Sequence, residues 1–218
     1  MKLTQRTWLA ATLAFTVASN ALVLSGCVSA PDTRAPLAAK TWQIDNAQSS
    51  VNFVTTKAGQ AGVGGVAEVQ AFRRFAGTLD AQGKIEFNID LTSVETGIEI
   101  RDERMRTMLF NVGATPKATF AATLDALTLQ GLEAAISRDV DVAGTLSLAG
   151  VSKPVAAKLR VTRLGKNAML VTTRAPIVVN AIDYGLRAGV EALREVVALN
   201  FLASTAPVTF ALVLNEKQ

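Results

Sequence analysis

Cys27 is the only cysteine of this 218-residue chain, and there is no histidine. Histidine general bases, Ser-His-Asp triads and His-ligated metals are therefore excluded. A lone cysteine makes no intrachain disulfide, and once it is committed elsewhere the usual zinc ligand sets are lost too. No G-x-S-x-G or S-x-x-K occurs, so serine nucleophiles lack support. Gly62-Val63-Gly64-Gly65-Val66-Ala67 fits G-x-G-x-x-A, but no helical pattern follows it, so it reads as a bulge or bent strand and not as a dinucleotide loop. Asp139 and Asp141 lie two apart in an alternating run, the spacing of a solvated strand face. The most pointed polar feature is Arg101-Asp102, with Arg104 one turn on. A guanidinium fork suits phosphate. The plainer reading of the pair is structural, with Asp102 accepting backbone N–H groups. No catalytic residue, metal site or cofactor emerges, and the chain reads as a binding protein and not an enzyme.

The chemistry of Cys27 is set by what precedes it. Lys2 and Arg6 form a positive n-region. Residues 8–24 are apolar apart from Thr12, Thr16, Ser19 and Asn20, and small residues follow. This is the layout of a secretory signal peptide, slightly short and interrupted for a membrane span. Leu24-Ser25-Gly26-Cys27 resembles the lipobox of bacterial lipoproteins, L-[AS]-[GA]-C. That resemblance implies acylation of Cys27 and cleavage before it. Val28, where aspartate favours the inner membrane, implies a periplasm-facing protein of the outer membrane. The expected organisation is a signal peptide over 1–26, a lipidated cysteine and flexible tether over 27–40 (with Ser29, Pro31, Asp32 and Pro36), and one domain over 41–218. Without residues 1–26 the chain has 20 basic and 18 acidic residues. Such balance is no nucleic-acid footprint.

The elements that must position any site begin at Trp42. Period-two alternation marks half-buried strands: Ser49, Val51 and Phe53; Ile85, Phe87, Ile89 and Leu91; Val140, Val142, Leu146 and Leu148; Leu159 and Val161; Val197, Leu199 and Phe201; Val208, Phe210, Leu212 and Leu214. Turn signals at Asp80-Ala81-Gln82-Gly83, Ala149-Gly150-Val151-Ser152, Gly165-Lys166-Asn167 and Ser204-Thr205-Ala206-Pro207 separate them as hairpins. Roughly eight strands, each with one apolar face, predict an all-β antiparallel sheet, and hiding its edges favours a closed barrel. Residues 98–111 carry helical spacing (Ile98, Arg101, Asp102, Met105, Met108, Leu109) and predict a short helical cap. A second helical piece is expected over 186–194.

Seven segments in order resemble the YceI-like family of bacterial periplasmic lipid-binding proteins. They are Trp42-Gln43-Ile44-Asp45; Gln48-Ser49-Ser50-Val51-Asn52-Phe53; Phe72-Arg73-Arg74-Phe75-Ala76-Gly77; the stretch from Ser93 to Asp102 with Met105-Arg106 and Phe110-Asn111-Val112; Pro116-Lys117-Ala118-Thr119-Phe120; Gly144 to Val155; and Asp183-Tyr184-Gly185-Leu186. Gln48 stands where histidine is usual, Ala114-Thr115 precede Pro116 where a tyrosine is usual, and Ala181-Ile182 precede Asp183 where arginine is common. The resemblance implies an eight-stranded, lipocalin-like barrel around a long apolar cavity that holds a polyisoprenoid or another long-chain amphiphile. Eight strands suit one small ligand. The inward residues expected to line the cavity are Val51, Phe53, Phe87, Ile89, Leu91, Phe120, Leu146, Leu148, Leu199 and Phe201. Arg101 or Arg104 would meet a head group at the mouth. The other function class kept open is an envelope interaction protein docking a membrane protein partner through the barrel rim. Oligomeric state is not legible.

Overall fold

The computed structural model describes residues 40–59, 65–125, 128, 132 and 136–217. Cys27, the signal segment, most of the tether and the first three residues of the glycine motif lie outside them. The described strands are β1 (Trp42–Ile44), β2 (Ser50–Ala58), β3 (Val66–Phe72), β4 (Phe75–Leu79), β5 (Lys84–Asp90), β6 (Val94–Glu95), β7 (Lys117–Thr123), β8 (Ser137–Leu148), β9 (Val151–Arg163), β10 (Ala168–Thr173), β11 (Ile177–Asn180), β12 (Phe201–Leu202) and β13 (Thr205–Glu216). Two helices interrupt them. Helix α1 (Glu99–Arg104) runs on into a π-helical turn over Met105–Leu109, and α2 spans Arg187–Val196.

The sheet closes on itself. The order β1-β4-β5-β7-β8-β9-β10-β13 returns to β1, while β2 pairs β13 and β3 pairs β2. Because β1 continues into β2, β3 into β4 and β10 into β11, this is an eight-stave, up-and-down antiparallel barrel. The breaks within the first two staves have a common cause. The Asp45 carboxylate accepts from the N–H groups of Ala47 (3.0 Å) and Gln48 (3.3 Å), which turns the chain into one turn of 3-10 helix. In the next stave the N–H of Arg73 is drawn off to the Ser93 carbonyl (3.1 Å). The Asn46 side chain bridges the two breaks, donating to the Arg73 carbonyl (2.9 Å) and accepting from the Phe75 N–H (2.7 Å).

Alternation places the core as expected. In β8, Val140, Val142 and Leu148 are buried while Asp139, Asp141 and Ala143 face out. Asp139 meets Arg160 (2.8 Å) and Arg174 (3.3 Å) on the outer face. The β8–β9 hairpin turns on Ala149 and Gly150, both with positive φ (51° and 79°), the geometry of a tight primed turn. The helical cap is found where expected.

One stretch differs. The alternation Val197, Leu199, Phe201 predicts a strand, yet only Phe201–Leu202 pair, and with β2. The preceding residues end α2 instead. Ala198 takes φ 49°, its N–H bonds the Glu195 carbonyl (3.0 Å), and the Leu199 N–H bonds the Arg194 carbonyl (2.9 Å). This is a Schellman C-cap with alanine in the glycine position. It consumes the backbone groups a strand would need. The expected hairpin at Ser204-Thr205-Ala206-Pro207 is likewise absent, because β13 already begins at Thr205 and pairs β11 there.

Candidate functional site

The barrel encloses a cavity of about 630 Å³. Its wall is hydrocarbon for most of its length, supplied by every stave: Val51 and Phe53 from β2, Phe72 from β3, Phe87 and Ile89 from β5, Phe120 from β7, Leu146 and Leu148 from β8, Leu159 from β9, Val171 from β10 and Phe210 from β13. Leu91 and Leu199 also line it. Phe201 does not. It is 51% exposed on the outer side, and its neighbour Leu202 faces the cavity in its place. The expected parity holds to Leu199 and breaks before Phe201, and a slip of one residue in a strand exchanges its two faces.

The two ends of the cavity differ. At one end Trp42, Leu132 and Met169 are almost wholly buried and pack with Leu79, Leu124 and Val161. At the other, α1, the π turn and α2 lie across the barrel. Val190, Leu193, Val196 and Val197 turn inward from α2, and Ile98, Ile100, Met105 and Leu109 from the first helical segment. The helices meet at Gly189, where a β-carbon would sit 2.6 Å from the Met108 carbonyl oxygen. Ile98, Ile100, Val196 and Val197 line the cavity and are also exposed. The cavity therefore reaches the surface between them.

Polar groups gather on one wall at this mouth. Along β2 and β3 the inward residues pass from Val51, Phe53 and Phe72 to Thr55, Gln70, Lys57 and Glu68. Arg101 closes the group. It donates to Glu68 Oε2 (2.8 Å) and to the Thr96 carbonyl (2.6 Å), and Lys57 meets the same Glu68 oxygen at 2.9 Å. The Lys57 ammonium, and then the Arg101 guanidinium, hold the Glu68 carboxyl below its usual range despite partial burial. Asp102 accepts from the Thr96 N–H (2.8 Å) and hydroxyl, so it fixes the turn into α1. Arg104 also lines the mouth, and among the described residues no hydrogen bond or ion pair engages it.

Sequence reasoning missed Gln70, which is 1% exposed and faces the cavity. Its signal was present: a glutamine on the inward parity of a strand otherwise apolar there. Gln48, at the usual histidine position, is exposed and bonds Asp45 (2.7 Å), so it takes no part in the cavity.

The YceI-like domain model matches residues 42–214. The chain belongs to the YceI-like family. Its barrel superposes on a polyisoprenoid binding domain from Saccharophagus degradans implicated in plant cell wall breakdown, with a TM-score of 0.75 and 34% identity over 81% of this chain and 98% of that one. It also resembles BcnA of Burkholderia cenocepacia (TM-score 0.58, 20% identity, 78% and 98% covered), a likeness of fold. Among curated proteins there is no match.

Proposed function

We propose that this protein is a membrane-tethered carrier, reservoir or sensor of a polyisoprenoid or comparable long-chain amphiphile. One observation carries the reading: an apolar cavity walled by all eight staves that reaches the surface beneath a helical lid with exposed apolar lips. A chain of CH₂ or isoprene units entering it gains about 25 cal/mol per Å² of apolar surface buried and needs no polar partner. The 34% identical relative is a polyisoprenoid binding domain, which supports the same class of ligand.

The tether completes the reading. Acylated Cys27 would anchor the chain, since two or more acyl chains hold a protein firmly. Residues 28–40 would span about 40 Å when extended, at about 3.3 Å per residue. The lips formed by Ile98, Ile100, Val196 and Val197 then meet the same bilayer, so a ligand exchanges without crossing water. Arg104 and the Lys57–Glu68–Arg101 group stand where a head group would emerge.

The test is extraction of the protein purified from its host without detergent exchange, followed by mass spectrometry. A long-chain amphiphile near one per chain is expected. Leu146→Trp, which fills the middle of the cavity, should retain the far-ultraviolet β spectrum and lose at least about 90% of that lipid. An empty native protein, or an equally loaded variant, would contradict the reading.

A further inference from the structure

The outside of the barrel has two unlike faces. On β8 and β9 the outward positions set Asp139 against Arg160 and Asp141 against Lys158. Four staves round lies β2, flanked by β3 and β13, with β11 beyond. The cavity-lining residues of these four strands fix which positions point out, and those positions hold only Ser, Asn, Val, Thr, Ala and Pro. No charge interrupts the face. Its apolar side chains are bare: Val69, opposite Val54, is 70% exposed and Val178, opposite Pro207, is 65% exposed. Phe201, opposite Ala58, adds to it. A contiguous face of this kind marks an interaction surface. We infer that the barrel rests on this face, on its side, against the bilayer that anchors it.

Two features commit the occupant to a lipid surface. First, the face runs into the apolar lips of the cavity. Phe201 follows the end of α2 that carries Val196 and Val197, and Arg101 ties the helix of Ile100 to Glu68, the neighbour of Val69 on β3. Second, the tether joins the same stave at its opposite end. Lys40 meets Glu216, and the Thr41 carbonyl accepts from the Lys217 N–H (2.8 Å), so the chain enters β1 at the plug. A barrel standing upright on its mouth would lift Lys40 by its own height. β13 runs from plug to mouth in 12 residues, about 40 Å along the strand and about 30 Å along the axis at the usual tilt. A flexible tether over residues 28–40 relaxes to about 20 Å and reaches about 40 Å only when fully extended. The upright pose therefore holds it near full stretch. With the barrel on its β2 side, Lys40 and the lips meet one bilayer while the tether stays relaxed. The charges around Asp139 and Asp141 then remain in water and are not desolvated.

This inference rests on the tethered reading, and the test separates the two. The acylated protein, whose only native cysteine is Cys27, is reconstituted in vesicles of phosphatidylethanolamine and phosphatidylglycerol. Val69→Cys, Val178→Cys and Asp141→Cys chains each carry a nitrobenzoxadiazole probe on the new thiol. A lipid spin-labelled near the top of its acyl chain serves as quencher. Resting at the boundary of head groups and acyl chains, the probes at positions 69 and 178 should be quenched at least about threefold more than the probe at 141. Equal quenching at all three positions, with the protein still sedimenting with the vesicles, would overturn the docking face and leave the tethered reading intact. Disulfide crosslinking of unlabelled Val69→Cys chains to one another, without quenching of the probe, would overturn it in favour of a second copy of this chain. A protein that does not sediment with the vesicles would overturn both.

Discussion

Arg163 and Arg101 stand at opposite ends of one barrel and treat it differently. Arg163 is 6% exposed, and its three guanidinium nitrogens all donate to backbone carbonyls: Gly165 (2.8 Å), Leu132 (3.1 Å) and Lys166 (3.2 Å). Around it Trp42, Met169 and Leu132 pack to near-complete burial. This end is a plug. Arg101 ties a helical lid to the barrel wall through Glu68 and Thr96, and its Nε has no partner among the described residues. The same side chain thus braces a closed end through three carbonyls and holds a lid through one carboxylate and one carbonyl. Apolar residues pack at both ends, around Trp42, Leu132 and Met169 at the plug and around Phe53, Met105, Phe110 and Leu186 under the lid.

Breaking the plug should cost most. Arg163→Ala leaves the buried Leu132 carbonyl and two partly buried ones without their charged donor and should destabilise the fold by about 2 kcal/mol, read from urea denaturation with the slope unchanged. Arg101→Met should cost less, about 1 kcal/mol, since the Glu68 pair is partly solvated and exposed ion pairs are weak. Its larger effect should be on the lid, seen as faster hydrogen exchange in α1 with the plug unaffected.

Acid sharpens the same contrast. The Glu68 carboxyl is depressed in the folded state, so its contribution is complete above its ordinary value of 4.5 and is lost as pH falls through the lower folded value. Hydrogen exchange of the lid should therefore rise on acidification below pH 4.5. Asp45, Asp90, Glu95 and Asp139 are shifted in the same direction, so the Glu68 part is isolated by comparison with Glu68→Gln, in which it should vanish. The smallest effect belongs to the outer face. Asp139→Asn removes its pairs with Arg160 and Arg174, and screening by water should leave the denaturation midpoint unmoved.

Strands were legible wherever one face is wet, because alternation then appears directly in the sequence, as from Val140 to Leu148. Phe87 and Ile89 of β5 and Leu146 and Leu148 of β8 border the cavity from that parity. Phe201 was not readable, because the Schellman cap at Ala198 carries no glycine to announce it and its apolar residues mimic a strand. The plug was equally hidden. Arg163 sits in an alternating run among other charges, and only the folded chain brings the distant Leu132 carbonyl to it. Gln70 was passed over for a related reason: a polar residue at an inward position looks like a break in the pattern until its neighbours Thr55 and Glu68 are seen to hold it. Pattern marks which side of a strand is buried. Satisfaction of donors and acceptors, which decides plug from pocket, is a property of long-range contacts.

The most direct test of this division is a crystal structure of the protein loaded with its host-derived amphiphile. The expected density is a chain lying between Phe87, Phe120 and Leu146, ending short of Trp42, with its head at the mouth near Lys57, Glu68, Arg101 and Arg104. A head group buried against the Arg163 end, or an interior closed by protein side chains with no ligand, would contradict it.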